Sequence, residues 1–184
     1  MKLTSTKALI FMALSVVINF IGCFLALVIR VPIYLDSIGT VLAATALGPL
    51  GGAVVGALTS LINGITTDPV SLYFMPTQVV LGIMAGIFFG KLELKGAKAA
   101  AAVFFMGVVV SILSSFIVAL VFGGVTSSSS SLIVAFLKNM GVDLWLAVFV
   151  TQIVTDVIDK YVCVGLAFAI ARALPMTLRQ KFSL

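Results

Sequence analysis

Few side chains in this sequence could do chemistry, and they stand out because their surroundings are apolar. Asp156 and Lys160 are four residues apart and share one face of a helix, whereas Asp159 points elsewhere. Charged groups inside a membrane span are costly and usually functional. Asn63, Asp68 and Gln78 fall at a similar depth on the same side, as do Tyr34, Asp36, Tyr73, Trp145 and Gln152. Apolar walls with a few polar and aromatic anchors are the composition of a small-molecule pocket. Taken singly, the charges also read as a structural ion pair at the membrane boundary, and the aromatic residues as interfacial anchors. Their convergence on the outer third of one bundle favours the pocket.

What is missing narrows the chemistry. The chain has no histidine, the commonest general base and metal ligand. It has no Gly-x-Ser-x-Gly and no His-Glu-x-x-His. The nearest approach to a phosphate loop is Gly86-Ile-Phe-Phe-Gly90-Lys91-Leu92. That run has too few spacers, and leucine stands where a hydroxyl must reach magnesium. No enzyme and no cofactor is expected, and energy for any transport must come from a partner or an ion gradient. Cys23 and Cys163 lie about 140 residues apart in apolar segments, with no metal-ligand or disulfide spacing, and read as small core thiols.

The elements that hold these residues must be helices in lipid. Apolar residues make up 62% of the 184 residues and charged residues only 9%, far from the balance of a soluble domain. The reading is an all-α, polytopic integral membrane protein of six transmembrane helices, one substrate-binding domain over residues 1–184. The spans are drawn at about 4–29, 37–47, 51–66, 75–90, 98–122 and 153–174. Lys2, Lys7 and the apolar run after them resemble a signal peptide, but Ala8 to Ile29 is long enough to span and reads as a retained first helix. The charged hinge Lys91-Leu-Glu93-Leu-Lys95-Gly-Ala-Lys98 separates the fourth and fifth spans.

Residues 129–152 pose a question of parity. With six spans, Lys2, Lys7, Lys91, Lys95, Lys98, Arg172, Arg179 and Lys181 share one side, against Arg30, Lys138 and Lys160 on the other. That satisfies the positive-inside rule with both termini in the cytoplasm. Residues 129–152 are therefore expected to form an outer re-entrant or surface segment between helices 5 and 6. The scattered basic residues answer to topology and form no nucleic-acid footprint.

Small residues form ladders at Gly52 and Gly56, at Gly82, Gly86 and Gly90, and at Ala167 and Ala171. Such ladders let helix backbones approach closely in lipid. They fit internal packing, or a face that docks another membrane protein.

These residues in this order resemble the substrate-binding S component of energy-coupling factor (ECF) vitamin transporters, over nearly the whole chain. The likeness rests on Thr6-Lys-Ala8-Leu-Ile, Val31-Pro-Ile-Tyr34-Leu-Asp36-Ser-Ile-Gly39-Thr40, Gly48-Pro-Leu-Gly-Gly-Ala-Val-Val-Gly56 and Thr155-Asp156-Val-Ile-Asp159-Lys160. The resemblance implies a multi-pass protein of the bacterial plasma membrane. It would capture a vitamin from outside and deliver it through a transmembrane T component coupled to two ATPases. The sequence looks most like the hydroxymethylpyrimidine or pyridoxine subgroup, with pantothenate another option. A heterocycle would stack on Tyr34, Tyr73 or Trp145 and bond to Asn63, Gln78, Asp156 or Lys160. Helix 1 would dock the T component through Ala8, Ala13 and Ser15, although the Ala-x-x-x-Ala spacing common in the family is not kept. The rival readings are a stand-alone proton-coupled carrier using Asp156 and Asp159, and a membrane scaffold resting on the glycine stripe.

Overall fold

The computed structural model describes residues 3–92 and 94–174. Lys2, Glu93, Arg179 and Lys181, charges used in the reading above, lie outside the described residues. Among the described residues the chain forms seven α-helices and no strand. These are α1 Thr6–Ile29, α2 Ile38–Leu47, α3 Pro49–Thr66, α4 Met75–Ala85, α5 Gly96–Leu120, α6 Ser130–Asn139 and α7 Leu144–Ala173. A 3-10 turn spans Pro69–Leu72, and α4 runs on into a π-helical segment, Gly86–Lys91. Three helices, α1, α3 and α5, are long and apolar enough to cross a membrane by length and composition.

Local chemistry sets the helix ends. Ser5 caps α1 by accepting from the Ala8 N–H. Arg30 ends that helix in the left-handed region (φ 58°), and the Val31 N–H reaches back to the Ala26 carbonyl, the bonding of a Schellman cap. Gly48, at φ 81°, turns α2 into α3, which then starts on Pro49, where no N–H is needed.

Two expectations are corrected. Residues 129–152 are not one re-entrant or surface segment. Only α6 stands apart, closed by Gly141 at φ 86°, and residues 144–152 belong to the last helix. The reason is the cap at Asp143, whose carboxylate accepts from the Trp145 and Leu146 N–H groups. No proline follows before Ala173. Asp156, Asp159 and Lys160 thus lie near the middle of α7, not near its start.

The short α2 also finds its explanation. Tyr34 and Leu35, in the segment joining α1 to α2, donate their backbone N–H groups to Asp159 Oδ1 at 3.0 and 2.8 Å. The segment therefore descends to the middle of α7, and α2 starts from that depth. Irregular backbone is tolerated there because protein surrounds it. Leu35 holds φ 51° in this descent, a strained value for a side chain branched beyond Cβ, which the Asp159 bond helps to maintain.

The core has three parts. Val41, Leu81, Phe89, Met106 and Cys163 pack α2, α4, the π segment, α5 and α7 together. Met12, Val16, Ala43 and Val55 join α1, α2 and α3. Val118, Val134 and Val148 hold α6 against α5 and α7. Asn19 bonds the first three helices across this packing. Its Nδ2 donates to Thr40 Oγ1 (2.8 Å) and Thr59 Oγ1 (2.9 Å), and its Oδ1 accepts from the Gly39 N–H (2.6 Å).

The glycine ladders serve this internal packing. A Cβ on Gly52 would strike the Gly82 carbonyl, and one on Gly82 would strike the Gly52 backbone. One on Gly56 would meet the Gln78 backbone, and one on Gly86 the backbone of Pro49. Gly82→Ala is therefore expected to destabilise the protein by about 1–3 kcal/mol, as overpacking does. Gly165→Ala, with open space around the new methyl, should be neutral. Thermal unfolding of both variants in detergent checks this; equal stability would show that α3 and α4 do not rely on the close approach.

Candidate functional site

A cavity lies where the α1–α2, α3–α4 and α5–α6 connections meet. With its open mouth counted, the space between these elements is about 790 Å³. Its floor is Asp156 and Lys160 of α7 with Ser114 of α5, and its walls include Ser60 and Asn63 of α3 and Thr77 and Gln78 of α4. Tyr34 and Asp36 enter from the first connection, Asp68 and Phe74 from the second, and the run Thr126–Ser129 from the third. Cys23, Ala26 and Leu27 add an apolar edge from α1.

A chain of polar contacts fixes the floor. Lys160 Nζ pairs with Asp159 Oδ2 at 2.6 Å and donates to Ser37 Oγ at 3.1 Å. Ser37 gives its only proton to Asp36 Oδ1 (2.8 Å). It must therefore act as acceptor for both Lys160 and Gln78 Nε2, the latter at 3.3 Å. Asp156 Oδ2 accepts from Ser114 Oγ at 2.7 Å. The ionic partner of Lys160 is thus its neighbour Asp159, not the residue one turn back that shares its helix face. A lysine stem is long enough to reach a carboxylate beside it when both are buried.

The connections are tied to one another over the cavity. Asp68 accepts from Ser71 Oγ (3.3 Å) and from Ser127 Oγ (2.7 Å), so the second connection holds the third. Tyr34 Oη lies 3.5 Å from Ser130 Oγ, and its ring centroid lies 6.4 Å from that of Phe74.

Seven residues singled out in the sequence line this cavity: Tyr34, Asp36, Asn63, Asp68, Gln78, Asp156 and Lys160. Three do not. Tyr73 is 54% exposed and packs edge-on against Phe122. Trp145 is 46% exposed, stacks edge-on against Phe116 and lines a separate apolar groove between α5 and α7. Gln152 is buried, and its backbone carbonyl accepts from Ser111 at the α5–α7 contact. Gln152 lies one turn before Asp156 on the same face of α7, against α5, and is not among the cavity's lining residues. Phe74, not its neighbour Tyr73, is the aromatic that meets Tyr34. Ser60 was findable from its spacing, three residues before Asn63 on one helix face. Ser114 and the 127–129 serines had no such signal, because serines in lipid usually bond their own helix.

Of the three residues expected to dock a partner, Ala8 and Ser15 are buried inside the chain. The Ser15 carbonyl sits so close to Gly39 that no Cβ would fit there. Ala13 is exposed.

A helical membrane bundle with a roofed, polar-floored cavity is the architecture of a solute-binding transport subunit. The model of the ECF transporter, substrate-specific component, matches residues 4–171, and the chain belongs to that family. It is a binding subunit of a membrane transport system, not an enzyme. Membership implies a small-molecule substrate and association with T and ATPase modules. No curated protein and no solved structure matches the chain.

The floor generates a test. Asp159→Asn keeps an acceptor for the Tyr34 and Leu35 amides but strands the Lys160 charge, at an expected cost of about 3–5 kcal/mol. Adding Lys160→Met should recover most of that loss. A double-mutant cycle of thermal unfolding measures it; strict additivity would show that the pair is not coupled.

Proposed function

We propose that this chain captures a small vitamin or vitamin precursor from outside the cell and hands it to an ATP-driven partner module. The observation that carries the reading is the cavity roofed by three connections, in a member of the S-component family. A hydroxymethylpyrimidine or pyridoxine-type ring is the best candidate cargo. Such a ring would pack against Tyr34 and Phe74 above the polar floor.

The bundle would cross the membrane six times with both termini in the cytoplasm, and the cavity would open outward. α6, at 10 residues, is about 15 Å long and too short to cross. α7, at 30 residues, is long enough, and its charges at Asp156, Asp159 and Lys160 are buried away from lipid. α4 with its π extension supplies the remaining full-length span, and α2 completes its crossing by way of the descending first connection. Lys7, Lys91, Lys95, Lys98 and Arg172 then share the cytoplasmic side.

The T component and two ATPases supply the energy in this reading. α1 carries an exposed apolar stripe, Ile10, Ala13, Leu14, Val17, Ile21 and Phe24, at helical spacing. Docking is assigned to this stripe around Ala13, not to Ala8 or Ser15. A proton-coupled carrier is less well supported, because Asp159 is committed to Lys160 and to two backbone amides.

Calorimetry on the purified chain tests the capture step: one vitamin should bind tightly with no partner and no ATP. Uptake by the chain alone, abolished by an uncoupler, would overturn it in favour of the carrier. For docking, Ala13→Trp should lower uptake by the assembled complex about tenfold or more and leave binding to the isolated chain unchanged. Undiminished uptake would remove this stripe from the docking face.

A further inference from the structure

Two buried acceptors in the cavity wall have no partner, and the ligand should bring what they lack. Resting on the capture reading above, we propose that the ligand is a compact ring bearing a protonated or strongly N–H-donating nitrogen, held by Asp156 with Gln78 and Asn63, and that carboxylate-bearing cargo is rejected.

The charges come first. Three carboxylates line the cavity, Asp36, Asp68 and Asp156, against a single ammonium, Lys160. The Lys160 charge is already met by Asp159 at 2.6 Å. Asp68 is occupied by the Val70 N–H and by Ser71 and Ser127, and Asp36 receives the Ser37 proton. Asp156 is 2% exposed, and its one short contact is with the neutral Ser114 hydroxyl. A buried carboxylate whose hydrogen-bond partner is a neutral hydroxyl, with the nearby Lys160 charge already paired to Asp159, gains from a cationic or N–H-bearing partner. A ligand carboxylate would instead meet Asp156 and Asp36 with no free cation to receive it.

The neutral acceptors are an independent observation. Gln78 Oε1 and Asn63 Oδ1 are buried and have no hydrogen-bond partner, although both residues line the cavity. Gln78 is 5% exposed and Asn63 2%. The orientation of Gln78 follows from the network: Ser37 has spent its proton on Asp36 and can only accept, so the glutamine turns its NH₂ to Ser37 and leaves its oxygen free. Buried carbonyl oxygens left unpaired are costly, and a site that keeps two of them selects ligands that donate. Phe74 and Tyr34, with ring centroids 6.4 Å apart, supply apolar faces for a flat ring.

The test uses calorimetry on the full-length chain in detergent with four probes. These are 4-amino-5-hydroxymethyl-2-methylpyrimidine, the same ring without its amino group, pyridoxamine and pantothenate. An amino-bearing ring should bind, and loss of the amino group should weaken binding about 100-fold or more in the unaltered protein, since the site's acceptors are then left unpaired. Asp156→Asn should weaken the amino ring about 30-fold or more, and Gln78→Leu about tenfold. The ligand series needs no variant to fold, so it decides the matter even if Asp156→Asn does not. Pantothenate binding as tightly as the amino rings, or equal binding with and without the amino group, would overturn this inference and leave the capture reading intact. No binding by any probe or by any other vitamin would overturn the capture reading itself.

Discussion

The Asp159 carboxylate is the contact on which the rest of the site depends. One of its oxygens holds the Tyr34 and Leu35 amides, and the other holds the Lys160 ammonium. The first bond draws the α1–α2 connection down to the middle of α7 and sustains the left-handed Leu35. The second neutralises a buried ammonium, which stabilises only because the pair is closed. From Lys160 the network continues through Ser37 to Asp36 and Gln78. A single acidic side chain thus sets the depth of α2, the position of Tyr34 and the direction in which Gln78 faces.

The scaffold around this contact is made of close backbone approaches. In lipid there is no hydrophobic drive between helices, so contact area and internal hydrogen bonds must hold them. α3 meets α4 at Gly52 and Gly82, and α1 meets α2 where Gly39 lies under the Ser15 carbonyl. Asn19 closes three hydrogen bonds at that junction. These faces are spent internally, while the opposite, aliphatic side of α1 stays exposed.

Function follows from an imbalance the scaffold maintains. The ammonium in the floor is paired within the protein, and two buried acceptors in the walls, Asn63 Oδ1 and Gln78 Oε1, are not. The connections above are joined by Asp68 to Ser127, and Tyr34 lies within reach of Ser130. A cavity of this kind binds without chemistry: it holds a solute by shape and hydrogen bonding, and leaves energy supply to other subunits.

The sequence by itself determined the class of this protein. Its apolar excess demands lipid, the absence of histidine and of a phosphate loop points away from catalysis, and the order of its Gly, Pro and Asp motifs matches one transport family. Asp156, Lys160, Asn63 and Gln78 were legible as cavity residues because polar groups in apolar runs are conspicuous. Tertiary structure decided what periodicity cannot carry. Spacing put Lys160 with Asp156, but a flexible lysine stem in a buried site chose the adjacent Asp159. Local composition split the last helix at 153, but the Asp143 cap starts it at 144. Phe74 replaced Tyr73 because a 3-10 turn, invisible to a period of 3.6, sets which of two neighbouring rings faces inward. Which acceptors remain free depends on where a serine sends its one proton, and only the folded network decides that.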